Sequence, residues 1–213
     1  TAIGYYLSGH LFDQSATEVR RMVKRAIADL VDSREPVTIA GIVSDLRIIN
    51  GQRGRVGIFK LDDKTDVIES VANEELLNAN KELLAEDELI IAQGKVQNDR
   101  FSGGLRFNVQ AVWSLAAARA RFGRHVLVRS LGGADKLAAL VREFPAREVA
   151  TDEGTTRQGL TLRVPVRVEP GAAGVGAQWL MDLGEHSRLW PADEALARLA
   201  VLGDAAEVVF DAG

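Results

Sequence analysis

The sequence predicts an α+β protein in which a five-stranded β-barrel is followed by a small α/β sandwich unit. Two observations carry this prediction. In the middle of the chain, five runs of β-forming residues are separated by turn signals, and one short helical pattern stands between the third run and the fourth. Toward the end of the chain, strand and helix patterns follow one another in the order β-α-β-β-α-β, an order shared with ferredoxin-like folds.

Residues 1–35 are predicted to be a loop and a helix that lead into the barrel. Residues 1–14 are apolar and aromatic. Pro36 is expected to end the segment, because a proline restricts the residue before it to extended geometry. Apolar residues recur between these points at spacings of three and four, as one face of a helix requires: Val19, Met22, Val23, Ala26, Ile27 and Leu30.

The five strands are predicted within residues 36–118, and a short helix is predicted at 74–84. The dipeptide Asn50-Gly51 marks a hairpin between the first two strands, and the turn residues of 98–104 mark another between the last two. Five strands with a helix between the third and the fourth is the order of an OB-fold, whose sheet face and 1–2 and 4–5 loops bind oligonucleotides. The strands are expected at 37–43, 56–61, 67–71, 89–96 and 105–113.

The stretch QNDRFSGGLRFNV (97–109) places Arg100 and Phe101 at the tip of the 4–5 hairpin. Two interpretations are open. The segment is either an ordinary loop whose phenyl ring packs back on the barrel, or a finger that stacks on a base and touches a phosphate.

Basic residues near the two hairpins are the other candidates for nucleic-acid contacts. Arg106 faces outward if its neighbours Leu105 and Phe107 face the core. The alternative is that these cations are ordinary solubilising charges. The complete candidate set is Arg47, Arg53, Arg55, Lys60, Arg100, Phe101 and Arg106.

The charge distribution allows a local basic groove within an acidic chain. The net charge is −4, which argues against a basic coat over the whole molecule. Residues 36–118 hold nine Lys and Arg and twelve Asp and Glu, but seven of those acids lie in 69–88 beside a single lysine. We therefore expect the acidic residues to lie away from the binding rim.

Residues 119–213 are predicted to form the second, α/β unit. Its twelve basic and thirteen acidic residues balance, which is more typical of a protein-docking unit than of a nucleic-acid module. Phe122, Trp179 and Trp190 are expected in the core, with the alternative that one of them contacts a partner protein. Residues 148–159 are polar and are expected to form a mobile loop, the other candidate for such a contact.

Several classes of site are disfavoured by the residues. Without cysteine there can be neither a disulfide nor a thiolate zinc site, and a cytoplasmic location is expected. The three histidines are scattered, and the adjacent carboxylates Asp62 and Asp63 are more typical of a turn than of a metal site. Residues 171–176 are expected to be a flexible connector, because this glycine-rich segment does not stand in the order of elements that a dinucleotide-binding loop requires. No signal peptide or membrane segment is predicted, and no catalytic residue or cofactor is assigned.

Three stretches in order resemble the C-terminal region of the bacterial replicative DNA polymerase III alpha subunits. They are IGYYLSGHLFD (3–13), VTIAGIVSDLRIINGQRGRVGIFKLDD (37–63) and VQNDRFSGGLRFNVQAVW (96–113). The similarity covers about residues 1–120, and the end of the chain fits the same family's terminal domain more loosely. Leu11 departs from the family, where a proline usually follows the Gly-His pair, and we interpret this as a local loop change.

The resemblance implies a non-catalytic part of a longer chain that acts in DNA replication. The first residue is Thr1 rather than methionine, so we expect a fragment. The family's polymerase site with its Mg²⁺, its histidinol-phosphatase-like domain and its main sliding-clamp motif would lie upstream, and its catalytic carboxylates have no match here. The OB domain would hold single-stranded template DNA, and the terminal domain would bind the tau subunit of the clamp loader through residues that remain unassigned.

Three other functions remain as alternatives. The barrel could serve protein–protein contact alone. It could be the OB module of a tRNA-binding or recombination protein. A free-standing hydrolase is disfavoured, because no nucleophile stands beside a base in any recognisable motif.

Overall fold

A computed structural model describes residues 2–52, 54–130, 133–151, 154–168 and 177–211. The chain divides into two compact units, which we call the barrel unit (Thr1–Leu115) and the terminal unit (Ala116–Gly213). Within the residues so described, no helix has both the length and the apolar character needed to cross a membrane.

The first helix, α1, spans Ala2–Met22 and therefore begins and ends earlier than the apolar spacing predicted. A short 3-10 turn, Ile27–Asp29, follows it. The apolar residues of the expected face are nevertheless buried at Val19, Val23, Ile27 and Leu30. Beyond the helix, the Ile27 amide donates to the Asp63 carboxylate at 2.9 Å.

The barrel unit contains five strands and the short helix α2. The strands form a closed barrel in the order β1-β2-β3-β5-β4, in which β3 and β5 are parallel, and this confirms the five-stranded OB-fold. Helix α2 ends sooner than predicted, and the Asn73 side chain caps its start by accepting from the Leu76 amide. The elements are β1 (Val37–Gly51), β2 (Gly54–Asp62), β3 (Val67–Ala72), α2 (Glu74–Ala79), β4 (Leu89–Asn98) and β5 (Leu105–Trp113).

Strand β1 is more than twice as long as predicted, because it continues past a bulge into the first hairpin. The register shifts between Ser44 and Arg47, where Asp45 has a positive φ of 53°. Gly41, earlier in the strand, stays in regular register opposite Ile90. A second shift lies at Gln93/Gly94 of β4, and these two irregularities bend the strands of the small barrel.

The barrel core consists of side chains that alternate along the strands. Ile39, Phe59, Leu61, Ile90 and Phe107 are all fully buried. Because neighbours along a strand point to opposite faces, this core fixes which residues between them face outward.

The terminal unit is built on a four-stranded sheet in the order β10-β9-β6-β11. The predicted order β-α-β-β-α-β holds for the strands of this sheet and their helices, but two further strands, β7 and β8, stand between α4 and β9. The strands β6 and β9 are parallel neighbours, unlike the split arrangement of ferredoxin-like folds. Within residues 148–159, expected to be a loop, the described residues belong mostly to an antiparallel hairpin of β7 and β8. The elements are α3 (Leu115–Phe122), β6 (Gly123–Val128), α4 (Ala134–Glu143), β7 (Arg147–Thr151), β8 (Gly154–Gln158), β9 (Leu162–Val168), β10 (Ala177–Asp182), α5 (Asp193–Leu202) and β11 (Ala206–Phe210).

The aromatic residues of the terminal unit do not share one environment. Trp190 is buried, as expected, and the Arg147 guanidinium lies 4.3 Å from its ring centre. Phe122 is half-buried. The expectation of a core position is wrong for Trp179, which is 64% exposed, because it lies on the edge strand β10. The expected connector at 171–176 lies outside the described residues.

Candidate nucleic-acid interface

One face of the barrel, which we call the outer face, is defined by the residues that alternate with the buried ones. On β2, Gly57 and Phe59 are buried, so Val56, Ile58 and Lys60 point the other way. Directly opposite residues of paired strands share a face, which extends the set to the neighbouring strands. The outer face therefore comprises Arg47, Ile49, Val56, Ile58, Lys60, Glu69, Val71, Arg106 and Asn108.

Three of the predicted cations, Arg47, Lys60 and Arg106, meet on this face, and each lies beside an acid. Lys60 Nζ donates to Asp45 Oδ2 at 2.7 Å. Arg106 Nη2 lies 3.1 Å from Glu69 Oε1, and Arg47 Nη2 lies 4.0 Å from Glu69 Oε2. The expectation that the acids of 69–88 lie away from the rim is thus wrong at Glu69.

Arg55 belongs to the opposite side of β2. Its Nε donates to Glu74 Oε1 at 2.9 Å and its Nη2 donates to Asn78 Oδ1 at 3.1 Å, so helix α2 holds the side chain. The hydrogen bonds that Glu74 accepts from the side chain and the backbone amide of Arg55 lower the pKa of Glu74. Arg55 is therefore separated from the outer face, and Arg53 lies outside the described residues.

The 4–5 hairpin is a fixed turn organised by Asp99. Its carboxylate accepts from the backbone amides of Phe101 and Ser102, both at 3.2 Å. The Asp99 backbone amide donates to the Gly104 carbonyl, and the Gly103 amide donates to the Asp99 carbonyl. Gly103 has a φ of +73°, which suits glycine at this position. Hydrogen bonds from Ser102 and from the Phe101 amide, with Arg106 close by, lower the pKa of Asp99.

Phe101 projects from this turn with 97% of its surface exposed, so the ring does not pack back on the barrel. Arg100 beside it is also exposed and forms no ion pair with any residue that the structure describes. Arg106 connects the tip to the outer face, since its guanidinium contacts both Asp99, at 3.3 Å, and Glu69.

The outer face also contains residues that the sequence interpretation missed. Between its cations lies an aliphatic centre, formed by Ile49, Val56, Ile58 and Val71. Ile49 is 48% exposed, and the other three are half-buried. The alternation around Phe59 could have identified Val56 and Ile58. The outward position of Ile49 could not be predicted, because the bulge changes which residues of β1 face outward.

The adjacent carboxylates Asp62 and Asp63 form a turn, as expected. Asp63 is buried and accepts from the backbone amides of Ile27, Thr65 and Asp66, and Arg20 lies 3.4 Å away. Burial alone would raise the pKa of Asp63, but the hydrogen bonds from Thr65, Ile27 and Asp66 outweigh it and lower the pKa. Asp62 accepts from the Lys64 amide.

Comparison with known proteins agrees with the barrel fold. Residues 37–115 match the family described as "OB-fold nucleic acid binding domain". The DNA polymerase III subunit alpha of Pseudomonas aeruginosa is 30% identical over 201 residues, which cover 92% of this chain. That of Haemophilus influenzae is 30% identical over 98% of the chain.

The chain belongs to the family of bacterial DNA polymerase III alpha subunits. It matches 16% of the length of the Pseudomonas relative and 18% of the Haemophilus one, so it spans a small part of these alpha subunits. Among solved structures, the small single-stranded DNA-binding protein from Streptomyces coelicolor is 15% identical. It covers 38% of this chain and 94% of its own, with a TM-score of 0.33. The barrel of this chain is established by its own strand pairing.

Proposed function

We propose that the chain is a non-catalytic, C-terminal part of an alpha subunit in DNA replication, and that its barrel binds single-stranded template DNA. The observation that carries this proposal is the exposed Phe101 ring on a hydrogen-bonded turn beside the cations of the outer face. Polymerisation, its Mg²⁺ and the contact with the sliding clamp belong, in this proposal, to the upstream part of the parent chain.

The proposed contacts follow from the chemistry of the described residues. A base stacked on Phe101 contributes about 1–3 kcal/mol, whatever the base, because every base has a π-face. Arg100, which has no ion-pair partner among the described residues, is free to contact a phosphate. The aliphatic centre of the outer face offers a surface on which further bases can lie. Contacts of these kinds track a strand without sequence preference, as template binding requires.

Fluorescence anisotropy with a labelled oligothymidine tests the proposal. We expect a double variant, Arg100→Ala with Phe101→Ala, to bind at least about fivefold more weakly than the wild type. Val201→Ala is the matched control, because Val201 is also exposed (85%) but lies on α5 of the terminal unit. A slope near −2 in log affinity against log salt would correspond to about three phosphate contacts. Equally weak binding by wild type and double variant at low salt would favour the alternative of a protein-contact barrel.

We also propose that the terminal unit docks the tau subunit of the clamp loader, and that β10 contributes to the contact. All six residues of β10 are exposed, including Trp179, Leu180 and Met181. At the other edge of the sheet, β11 buries Val208 and packs Phe210 against the core. An open edge strand with exposed apolar side chains can pair with an extended segment of a partner.

Hydrogen exchange with purified tau tests this second proposal. We expect the amides of β10 to gain protection when tau is added, and Trp179→Glu with Met181→Glu to weaken binding at least about tenfold. Val201→Glu, an equal change at another exposed apolar residue of the same unit, should leave the affinity unchanged. Tight tau binding without protection of β10 would place the contact elsewhere on the terminal unit.

A further inference from the structure

We infer that the Glu69 carboxylate occupies the place that a phosphate of the bound strand takes, so that Glu69 sets how tightly the outer face holds DNA. This inference rests on the proposed DNA binding. Glu69 lies between two of the three outer-face cations, and each of its carboxylate oxygens faces a different arginine. A guanidinium binds carboxylate and phosphate oxygens with the same fork of N–H donors, so one group can replace the other.

The contacts of Glu69 are of a kind that a phosphate can displace. The pair with Arg47 is loose at 4.0 Å, and the Arg47 side chain is 67% exposed. Exposed ion pairs of this kind contribute little to stability. The pair with Arg106 is closer, but Arg106 is also held by the nearly buried carboxylate of Asp99. Arg106 therefore keeps an ion-pair partner when Glu69 moves away.

The charge balance of the face has a functional consequence. A strand that reaches Arg47 and Arg106 must either displace Glu69 or place a phosphate beside an ionised carboxylate. Both routes weaken binding, the second through repulsion between like charges at short distance. Glu69 thereby gives a face that contacts a passing strand without holding it in one position.

The substitution Glu69→Gln removes the charge and keeps the size of the side chain. We expect it to tighten binding of labelled oligothymidine about five- to tenfold, the effect of one unit charge at contact distance near water. Glu75→Gln is the matched control. Glu75 is exposed on α2 and makes no ion pair with any residue in the described ranges, and this change should leave affinity unchanged.

A second probe separates this inference from the proposed function. Inorganic tripolyphosphate carries phosphates without bases, and its binding is followed by the NMR signals of the arginine Nε–H groups. We expect it to shift the signals of Arg47 and Arg106 at lower concentration in Glu69→Gln than in the wild type. Adding Arg47→Ala to Glu69→Gln should remove most of the gain, as coupled sites require.

The outcomes distinguish the two claims. Tighter tripolyphosphate binding by Glu69→Gln with no oligonucleotide binding shows that Glu69 competes with phosphate, but it contradicts the DNA proposal and overturns the claim that Glu69 sets DNA affinity. Equal oligonucleotide binding by wild type and Glu69→Gln overturns the inference while the DNA proposal stands. Weaker binding by Glu69→Gln, with an unchanged unfolding temperature, overturns the inference and makes Glu69 a positioning residue for the arginines. Failure of both probes on both proteins contradicts both claims. Glu69→Ala serves as the second variant if Glu69→Gln does not fold.

Discussion

At the scale of single residues, three acids of the barrel unit have different roles although all three are carboxylates. Asp99 organises the turn that presents Phe101. Glu69 balances the cations of the outer face. Asp63 fixes the segment after α1 to the β2–β3 turn through backbone amides of both. Carboxylates therefore account for the local order of this unit as much as for its net charge.

The contacts of Asp63 predict how stability depends on pH. Its pKa is lowered in the folded protein, so its contribution is complete above the unfolded pKa and is lost as the pH falls through the folded pKa. We expect Asp63→Ala to lower the free energy of unfolding by about 2 to 4 kcal/mol near neutral pH, because buried amides lose their acceptor. Urea unfolding at pH 7 and at about pH 3 measures both effects.

The same urea unfolding measurements provide a control for Asp63. Glu75→Gln, on the exposed side of α2, should leave stability within about 0.5 kcal/mol of the wild type at both pH values. The Asp63→Ala variant should lose less stability than the wild type on acidification below about pH 4. Parallel losses in both proteins would show that Asp63 does not contribute to acid sensitivity.

At the scale of elements, the barrel contains a glycine at which two strands approach each other closely. At Gly94 of β4, a Cβ atom would lie 2.1 Å from the Asn108 carbonyl oxygen and 3.0 Å from the Phe107 ring. The register shift of β4 falls at the same residue. A side chain at Gly94 would push β4 and β5 apart, and these two strands carry the 4–5 hairpin.

Gly94→Ala is therefore expected to destabilise the barrel by about 2 to 4 kcal/mol, because backbone and not a flexible side chain blocks the added methyl group. The matched control is Gly104→Ala in the hairpin of the same two strands, where the nearest atom is Ser102 Oγ at 3.7 Å. Urea unfolding compares the two variants. Equal urea midpoints for Gly94→Ala and Gly104→Ala would mean that β4 and β5 can separate at Gly94 without loss of stability.

At the scale of the whole molecule, two units with separate cores divide the proposed work. Leu162 lies in the core of the terminal unit and Phe59 in the core of the barrel unit. The proposed DNA contacts all belong to the barrel unit, and the proposed docking strand belongs to the terminal unit. A change in either core should then affect one activity only.

We expect Leu162→Ala to lower the free energy of unfolding of the terminal unit by about 2 to 5 kcal/mol, since its side chain is fully buried. Binding of oligothymidine should stay within about twofold of the wild type, while tau binding weakens near the new unfolding temperature. Calorimetry and anisotropy on the full chain measure the two effects. Loss of oligothymidine binding in this variant would contradict the division of work.

The order and type of the barrel strands are predictable from the sequence alone. Strand runs, the Asn50-Gly51 turn and the turn residues at 98–104 are local signals, and the barrel follows from them. The sequence also placed Arg100 and Phe101 at a hairpin tip, since that depends on a few consecutive residues. The first helix was predicted, but its bounds were not, and the segment after it is held by the distant Asp63, which accepts from the Ile27 amide.

Which residues share a face and which form pairs depends on how the strands and helices pack. The bulge at Asp45 changes which side chains of β1 face outward, helix α2 draws Arg55 away from the outer face, and β3 brings Glu69 between Arg47 and Arg106. Trp179 is exposed because its strand ended at the edge of a sheet. Each of these outcomes depends on register and pairing between segments far apart in sequence, and the residues of one segment do not encode where another segment will lie.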